Sequence, residues 1–199
     1  MQKLCFLLIM LAGAASAQNL RTMPAPAMTG PTYEISTGYT YLDMPIPGAG
    51  RAHLNGVDAS GSIDWSPRWG ATLDTNYLRA SNVVGTSHQG YVLNIQCGPQ
   101  FYPFEHGKTR FFVRALGGSA LVDAAAPLNA GFIHGWLVRP SVAFGAGLEQ
   151  GVSNQFAIRF NGDYLRTAFF NHIDAVIPQN SVRLTVSIVF RKSTGIRAR

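Results

Sequence analysis

The chain has 199 residues and a formal net charge of +6, and it is 47% hydrophobic with only 13% charged residues. A soluble domain carries roughly 25% charged residues, so a conventional cytosolic enzyme is disfavoured. An aromatic content of 11% excludes intrinsic disorder, and the length suits one domain with a full core.

One long apolar run is present, and it opens the chain. Lys3 is a short basic region, and Leu4–Ala12 (LCFLLIMLA) is too short to span a bilayer. Ala15, Ser16 and Ala17 follow with the small-residue pattern of a signal-peptidase site. Residues 1–17 are therefore predicted to be a signal peptide cleaved after Ala17. Cleavage removes Cys5 and leaves Cys97 alone, so an exported chain has no intramolecular disulfide. Gln18–Thr32 (QNLRTMPAPAMTGPT) shows no apolar period and reads as a flexible periplasmic leader.

From Tyr33 to Arg191 the sequence alternates. Successive strand residues point to opposite faces, so an apolar residue at every second position marks a strand with one greasy side. The segments are Tyr33–Leu42, Val57–Trp65, Gly70–Leu78, Tyr91–Phe101, Phe111–Gly118, Arg139–Glu149, Phe156–Leu165 and Val182–Arg191. The last is the clearest: Val182, Leu184, Val186, Ile188 and Phe190 alternate with Arg183, Thr185, Ser187, Val189 and Arg191. No convincing helix follows the signal.

The joins alternate as well. Asp43–Gly56, Arg79–Gln89, Leu121–Leu137 and Arg166–Ser181 are long; those around Ser66–Arg68, Tyr102–Thr109 and Gln150–Asn154 are short. Short turns on one side and long loops on the other is the layout of a transmembrane barrel with both termini in the periplasm. The fold class is thus all-β, an eight-stranded antiparallel up-and-down transmembrane β-barrel over residues 33–191. Aromatics fall where its apolar band would end. Trp65, Trp69, Phe101, Phe111, Phe156 and Phe190 lie beside short turns; Tyr41, Tyr77, Tyr91, Trp136 and Tyr164 lie beside long loops.

The opposite face holds Asp58, Asp64, Asp74, Arg114, Glu149, Arg159, Asp163 and Arg183 among Ser, Thr, Asn, Gln and Gly. An eight-stranded barrel is filled by its own side chains and leaves no open pore. These charges must therefore pair, and Arg114, Arg159 and Arg183 can each fork onto a carboxylate, with Asp163 and Glu149 nearest by strand neighbourhood. Gly38, Gly98, Gly118, Gly145 and Gly147 are expected to make room for the long arginines. After Arg191, residues 192–199 form a basic tail, and Arg191, Lys192, Arg197 and Arg199 carry most of the positive excess. A solvated tail is expected, or one that meets anionic lipid or polymer; no nucleic-acid partner is expected.

The stretch AFGAGLEQGVSNQFAIRFNGDYLRT (Ala143–Thr167) with NSVRLTVSIVFR (Asn180–Arg191) resembles the last three strands of bacterial outer-membrane β-barrel proteins of the OmpA/OmpX-like type. GPQFYPFEHGKTRFFVRALGG (Gly98–Gly118) resembles their fourth and fifth strands. The resemblance implies a porin-like fold in the Gram-negative cell envelope, with outer-membrane lipid and the barrel-insertion machinery as partners. One departure is that nine residues follow Phe190, where the final aromatic of such chains usually ends them. No peptidoglycan-binding domain is expected after the barrel.

Barrels of this architecture also include lipid A deacylases and acyltransferases, which group Ser, His and a carboxylate at one rim. His172, Asp174 and Ser181 are the candidates, without the motif expected of the deacylases. His53, His88 and His134 could converge with His172 on the extracellular side, but their spacing does not ask for a metal, and His106 lies apart. Gly48–Gly50 precedes no helix and cradles no phosphate. Cys97 faces lipid in this register. Neither catalysis nor a cofactor is expected. The long loops are apolar at Met44–Pro47, Ala124–Leu128 and Phe169–Ile177. They present an extracellular partner surface, fold over the mouth or extend the strands. The leading expectation is a structural or surface-interaction protein of the outer membrane. The alternatives are a lipid-modifying barrel enzyme and a periplasmic soluble barrel with an apolar ligand.

Overall fold

The computed structural model describes residues 30–46, 50–81, 89–124, 126–128, 131–133, 136–172 and 175–193. The predicted signal peptide, most of the predicted leader and the residues beyond Ser193 lie outside them. Among the described residues there are ten strands and no helix. They are β1 (Thr32–Ile46), β2 (Gly50–Asp64), β3 (Trp69–Ala80), β4 (Gly90–His106), β5 (Thr109–Ala124), β6 (Ala126–Leu128), β7 (Gly131–Ile133), β8 (Trp136–Gly151), β9 (Phe156–His172) and β10 (Ala175–Ser193). Eight of them close a barrel in the order β1-β10-β9-β8-β5-β4-β3-β2, all antiparallel. β6 and β7 pair only with each other, inside the connection from β5 to β8.

Alternation dictates which way each strand faces. On β10, Val182, Leu184, Val186, Ile188 and Phe190 are exposed on the outer wall, while Arg183, Thr185, Ser187 and Val189 are buried. The outer wall is apolar and the charges are inside, the reverse of a soluble barrel.

Three short turns lie at one end. Ser66 Oγ accepts a hydrogen bond from the Trp69 amide at 2.9 Å, and Ser153 Oγ accepts one from the Phe156 amide at 3.1 Å. The third turn is tighter than the predicted Tyr102–Thr109. Its strands run to His106 and from Thr109, and Gly107 adopts φ 61, a left-handed value that favours glycine. A register shift between Phe101 and Phe104 accommodates Pro103, which has no amide hydrogen for the ladder.

Much of the predicted long loops is strand. β1 and β2 stay paired to Ile46↔Gly50, and β9 and β10 to His172↔Ala175. The sequence looked loop-like because polar residues (Asp43, Arg51, His53, Arg166) enter the outer face there and prolines interrupt it. β10 has 19 residues. At roughly 3.3 Å per residue and a tilt of about 45°, such a strand rises roughly 45 Å, well beyond an apolar band of about 25 Å.

The interior has three tiers. Near the short turns and at mid-height it is ionic. Towards the long connections it is an apolar cluster that includes Leu42, Met44, Leu54, Leu78, Val92 and Val122. This corrects the expectation of a polar filling throughout. At that height polar residues such as Asp43, His53 and Arg79 take the outer positions beside these inward apolar ones, so the alternation of the band is lost there.

Candidate functional site

The ionic interior is the densest chemistry in the described chain. All eight charged residues assigned to the inner face from the sequence are buried: Asp58, Asp64, Asp74, Arg114, Glu149, Arg159, Asp163 and Arg183. They fall into two groups.

The lower group lies by the short turns. Arg159 donates from Nε to Glu149 Oε2 at 3.0 Å and from Nη2 to Glu34 Oε2 at 2.5 Å. Arg110 donates to Glu34 Oε1 at 2.9 Å and to Asp64 Oδ2 at 3.0 Å. Arg191 donates to Glu34 Oε1 at 2.7 Å and also pairs with Glu149. Three carboxylates thus meet three guanidiniums. Beneath the Arg110 guanidinium lies Tyr102, with its ring centroid 3.7 Å from Cζ. Gln100 donates to the Tyr102 hydroxyl, and the Phe112 ring meets Tyr102 edge-on at 6.2 Å. The barrel is plugged at this end.

The ion pairs of the middle group join four strands, β3, β5, β9 and β10. Arg114 forks onto Asp163, with Nε to Oδ1 at 2.9 Å and Nη2 to Oδ2 at 2.7 Å. Its Nη1 lies 3.0 Å from Asp74 Oδ2. Arg183 donates to Asp163 Oδ2 and to Asp74 Oδ1, each at 2.9 Å. Asn76 donates to Asp74, and Asn94 donates to Asn76.

Glu34, Arg110, Tyr102 and Arg191 were not among the residues expected here. Glu34 alternates with Tyr33 and Ile35, and Arg110 is two before inward-facing Phe112, so period two contained both signals. Arg191, the last residue of the strand's inner set, was counted with the tail for its charge and is a partner of Glu34 and Glu149. The interior glycines also serve differently from the expectation. A Cβ on Gly145 would come 1.9 Å from Asp163 Oδ1, and one on Gly147 would come 2.4 Å from Phe112 Cζ. At Gly38, Gly98 and Gly118 the first obstacle is a neighbouring strand's carbonyl oxygen. The room is for a carboxylate, a ring and backbone, not for arginines.

The aromatic residues expected at the two margins all lie on the outer wall or in the turns. At the short-turn end, Trp69 packs on Phe101 with centroids 4.7 Å apart, and Phe156 packs on Phe190 at 5.5 Å. Phe111 packs against Phe104, and Trp65 is exposed in the first short turn. At the other end Tyr77 stacks on Tyr91, Tyr41 stacks on His53, and Tyr164 is exposed. Trp136 lies farther along β8 than Phe144, which sits opposite Tyr164, so it stands above that ring.

The candidate catalytic residues are not brought together among the described side chains. Ser181 is buried in the lumen, His172 is on β9 with its side chain undescribed, and Asp174 lies outside the described residues. His53 is on the outer face, where Nδ1 lies 2.6 Å from the Tyr41 hydroxyl, and His106 is at the short-turn end. His88 and His134 lie outside the described residues. Among the described residues no group of His, Cys, Asp and Glu is arranged to hold a metal. Cys97 is exposed on the outer face.

In fold, the barrel is similar to Neisserial surface protein A, with a TM-score of 0.63 and 9% identity over 79% of this chain and 96% of that one. It is similar to Ail, the attachment invasion locus protein of Yersinia pestis, with a TM-score of 0.53 and 16% identity over 82% and 99%. Outer membrane protein OprG of Pseudomonas aeruginosa gives 0.53 and 8% over 85% and 99%. At these identities the likeness is one of fold: small transmembrane outer-membrane barrels. No protein-family model and no curated protein matches the chain in sequence.

Proposed function

We propose that the protein is a resident of a bacterial outer membrane, closed to solutes, that serves as a structural or surface-interaction barrel. The observation that carries this reading is the polarity of the wall. Ile35, Val57, Leu73, Phe144, Phe160, Leu184 and Ile188 are exposed outward, while charged groups are buried inward. Exposed apolar surface on this scale is not tolerated in water and is what a bilayer requires. Three short turns then face the periplasm, with both barrel ends beside them. The strand extensions of β1, β2, β9 and β10 face outward and carry the surface role. Arg51 bound to Asp43, His53, and Arg166 on their outer faces make them polar where they leave the band.

The interior favours support over transport. An ionic plug lies at the short-turn end of the lumen and an apolar cluster at the other. The test is fractionation of cells expressing the full chain. The protein is expected to stay with membranes after an alkaline wash and to shift in gel mobility between unboiled and boiled samples. Release into the soluble fraction would refute the membrane reading.

A further inference from the structure

The two ionic groups differ in balance. The lower group pairs the buried Glu34, Asp64 and Glu149 with Arg110, Arg159 and Arg191, with the part-exposed Glu105 3.9 Å from Arg110 at its edge. The middle group has Asp58, Asp74 and Asp163 but only Arg114 and Arg183, and those two are taken up by Asp74 and Asp163. Asp58 forms no ion pair within 4.0 Å among the described residues, yet it is only 4% exposed and its Oδ2 has no hydrogen-bond partner. A lone buried carboxylate costs several kcal/mol unless its charge is compensated.

The surroundings say what sign of ligand compensates it. In register, Asp58 lies beside Asn76, and Asn76 beside Asn94. The Asn94 and Asn76 amides donate away, towards Asn76 and Asp74, and Asn94 Oδ1 is left buried without a donor. Gln96 Oε1, on the next inward position of β4, is also unpartnered. These three acceptors outnumber the unpartnered buried donors of the same rows, Arg139 Nε and Arg183 Nη2. The charged groups that act on Asp58 are Asp74 on β3, Asp163 on β9, Arg183 on β10 and Arg114 on β5. Its other inward neighbours on β1 and β2 are Gly38, Thr40 and Ser60.

We propose that Asp58 binds one exchangeable monocation, a proton or an alkali ion, in the middle of the barrel. The apolar cluster of Leu42, Leu54, Leu78 and Val92 shuts the site from the long-connection side. Towards the short turns the same wall is a ladder of hydroxyls: Ser36 and Ser60 at 2.6 Å, then Ser62 and Thr72 at 3.0 Å. Hydroxyls both donate and accept, so this wall gives the carboxylate polar neighbours on its periplasmic side, with the ionic plug beyond them.

The test uses the protein folded into phosphatidylcholine vesicles. Infrared difference spectra across neutral pH report a protonated carboxyl by its carbonyl stretch. Urea midpoints at constant ionic strength, with sodium or potassium exchanged for choline, report an alkali ion. The expected result is either a protonated carboxyl signal lost in Asp58→Asn and kept in Asp123→Asn, whose carboxylate lies outside both ionic groups, or a midpoint that rises with alkali ion in the wild type and not in Asp58→Asn. Asp58→Ser is the second variant if Asp58→Asn does not fold. A wild type with neither signal, or a carboxyl signal that survives both Asp58 substitutions, overturns the proposal.

Discussion

Arg183 on β10 and Asp74 on β3 are joined across the lumen, Nη1 to Oδ1 at 2.9 Å, although β1 and β2 separate their strands in the wall. Arg159 on β9 reaches Glu34 on β1 in the same way. Backbone ladders tie each strand only to its neighbours. These guanidiniums tie strands that are not neighbours in the wall, and they act in a buried interior where breaking one partner leaves a charge without compensation.

Arg159→Met is therefore expected to destabilise the barrel by about 3–5 kcal/mol, the usual cost of stripping a buried pair of one partner. Urea unfolding in vesicles measures it. Replacing Arg159 together with Glu149 by apolar residues is expected to cost less than Arg159→Met alone, because less uncompensated charge is left behind.

The glycines give a contrast within one residue type. Gly145→Ala drives a methyl into Asp163 and so disturbs the forks of both Arg114 and Arg183; Gly147→Ala drives one into Phe112. Gly61→Ala and Gly117→Ala meet nothing within 4 Å. The first pair is expected to lower the unfolding midpoint or the folded yield, and the second pair to leave both near wild type.

On the outer wall, Val186→Arg is expected to cost about 2–4 kcal/mol, the penalty for a cation at the bilayer midplane. Lys192→Ala, at the short-turn margin, is expected to change little. Unfolding midpoints in vesicles separate the two.

Much of this was legible because period two is a strong signal. The inward set on β9 and β10 follows from Arg159, Asp163 and Arg183 alternating with Phe160, Tyr164 and Val182. Tyr102 was not legible, and Arg110 was passed over although it shares the period-two face of Phe112, because Pro103 and Gly107 made a strand end look like an open turn. Arg191 followed the last aromatic and was grouped with the tail by its charge alone. Cross-lumen partners such as Arg159 and Glu34 are set by barrel closure and stagger, which local pattern does not contain. The upper apolar tier was hidden because Leu54 and Leu78 sit where pattern fades into the extensions.

The free thiol offers a check on orientation. Cys97 on the outer wall is expected to resist a charged thiol reagent and accept a lipid-soluble one in the folded protein, and to accept both after unfolding. Mass shifts report each reaction.

The most direct measurement is a single-cysteine scan along Val182–Arg191 in a Cys97→Ser background, with a fluorophore on each thiol and brominated lipid as quencher. Quenching is predicted at 182, 184, 186, 188 and 190 and absent at 183, 185, 187 and 189, as the exposed and buried sets of β10 require. A uniform or inverted pattern would contradict a lipid-facing apolar wall around an ionic interior.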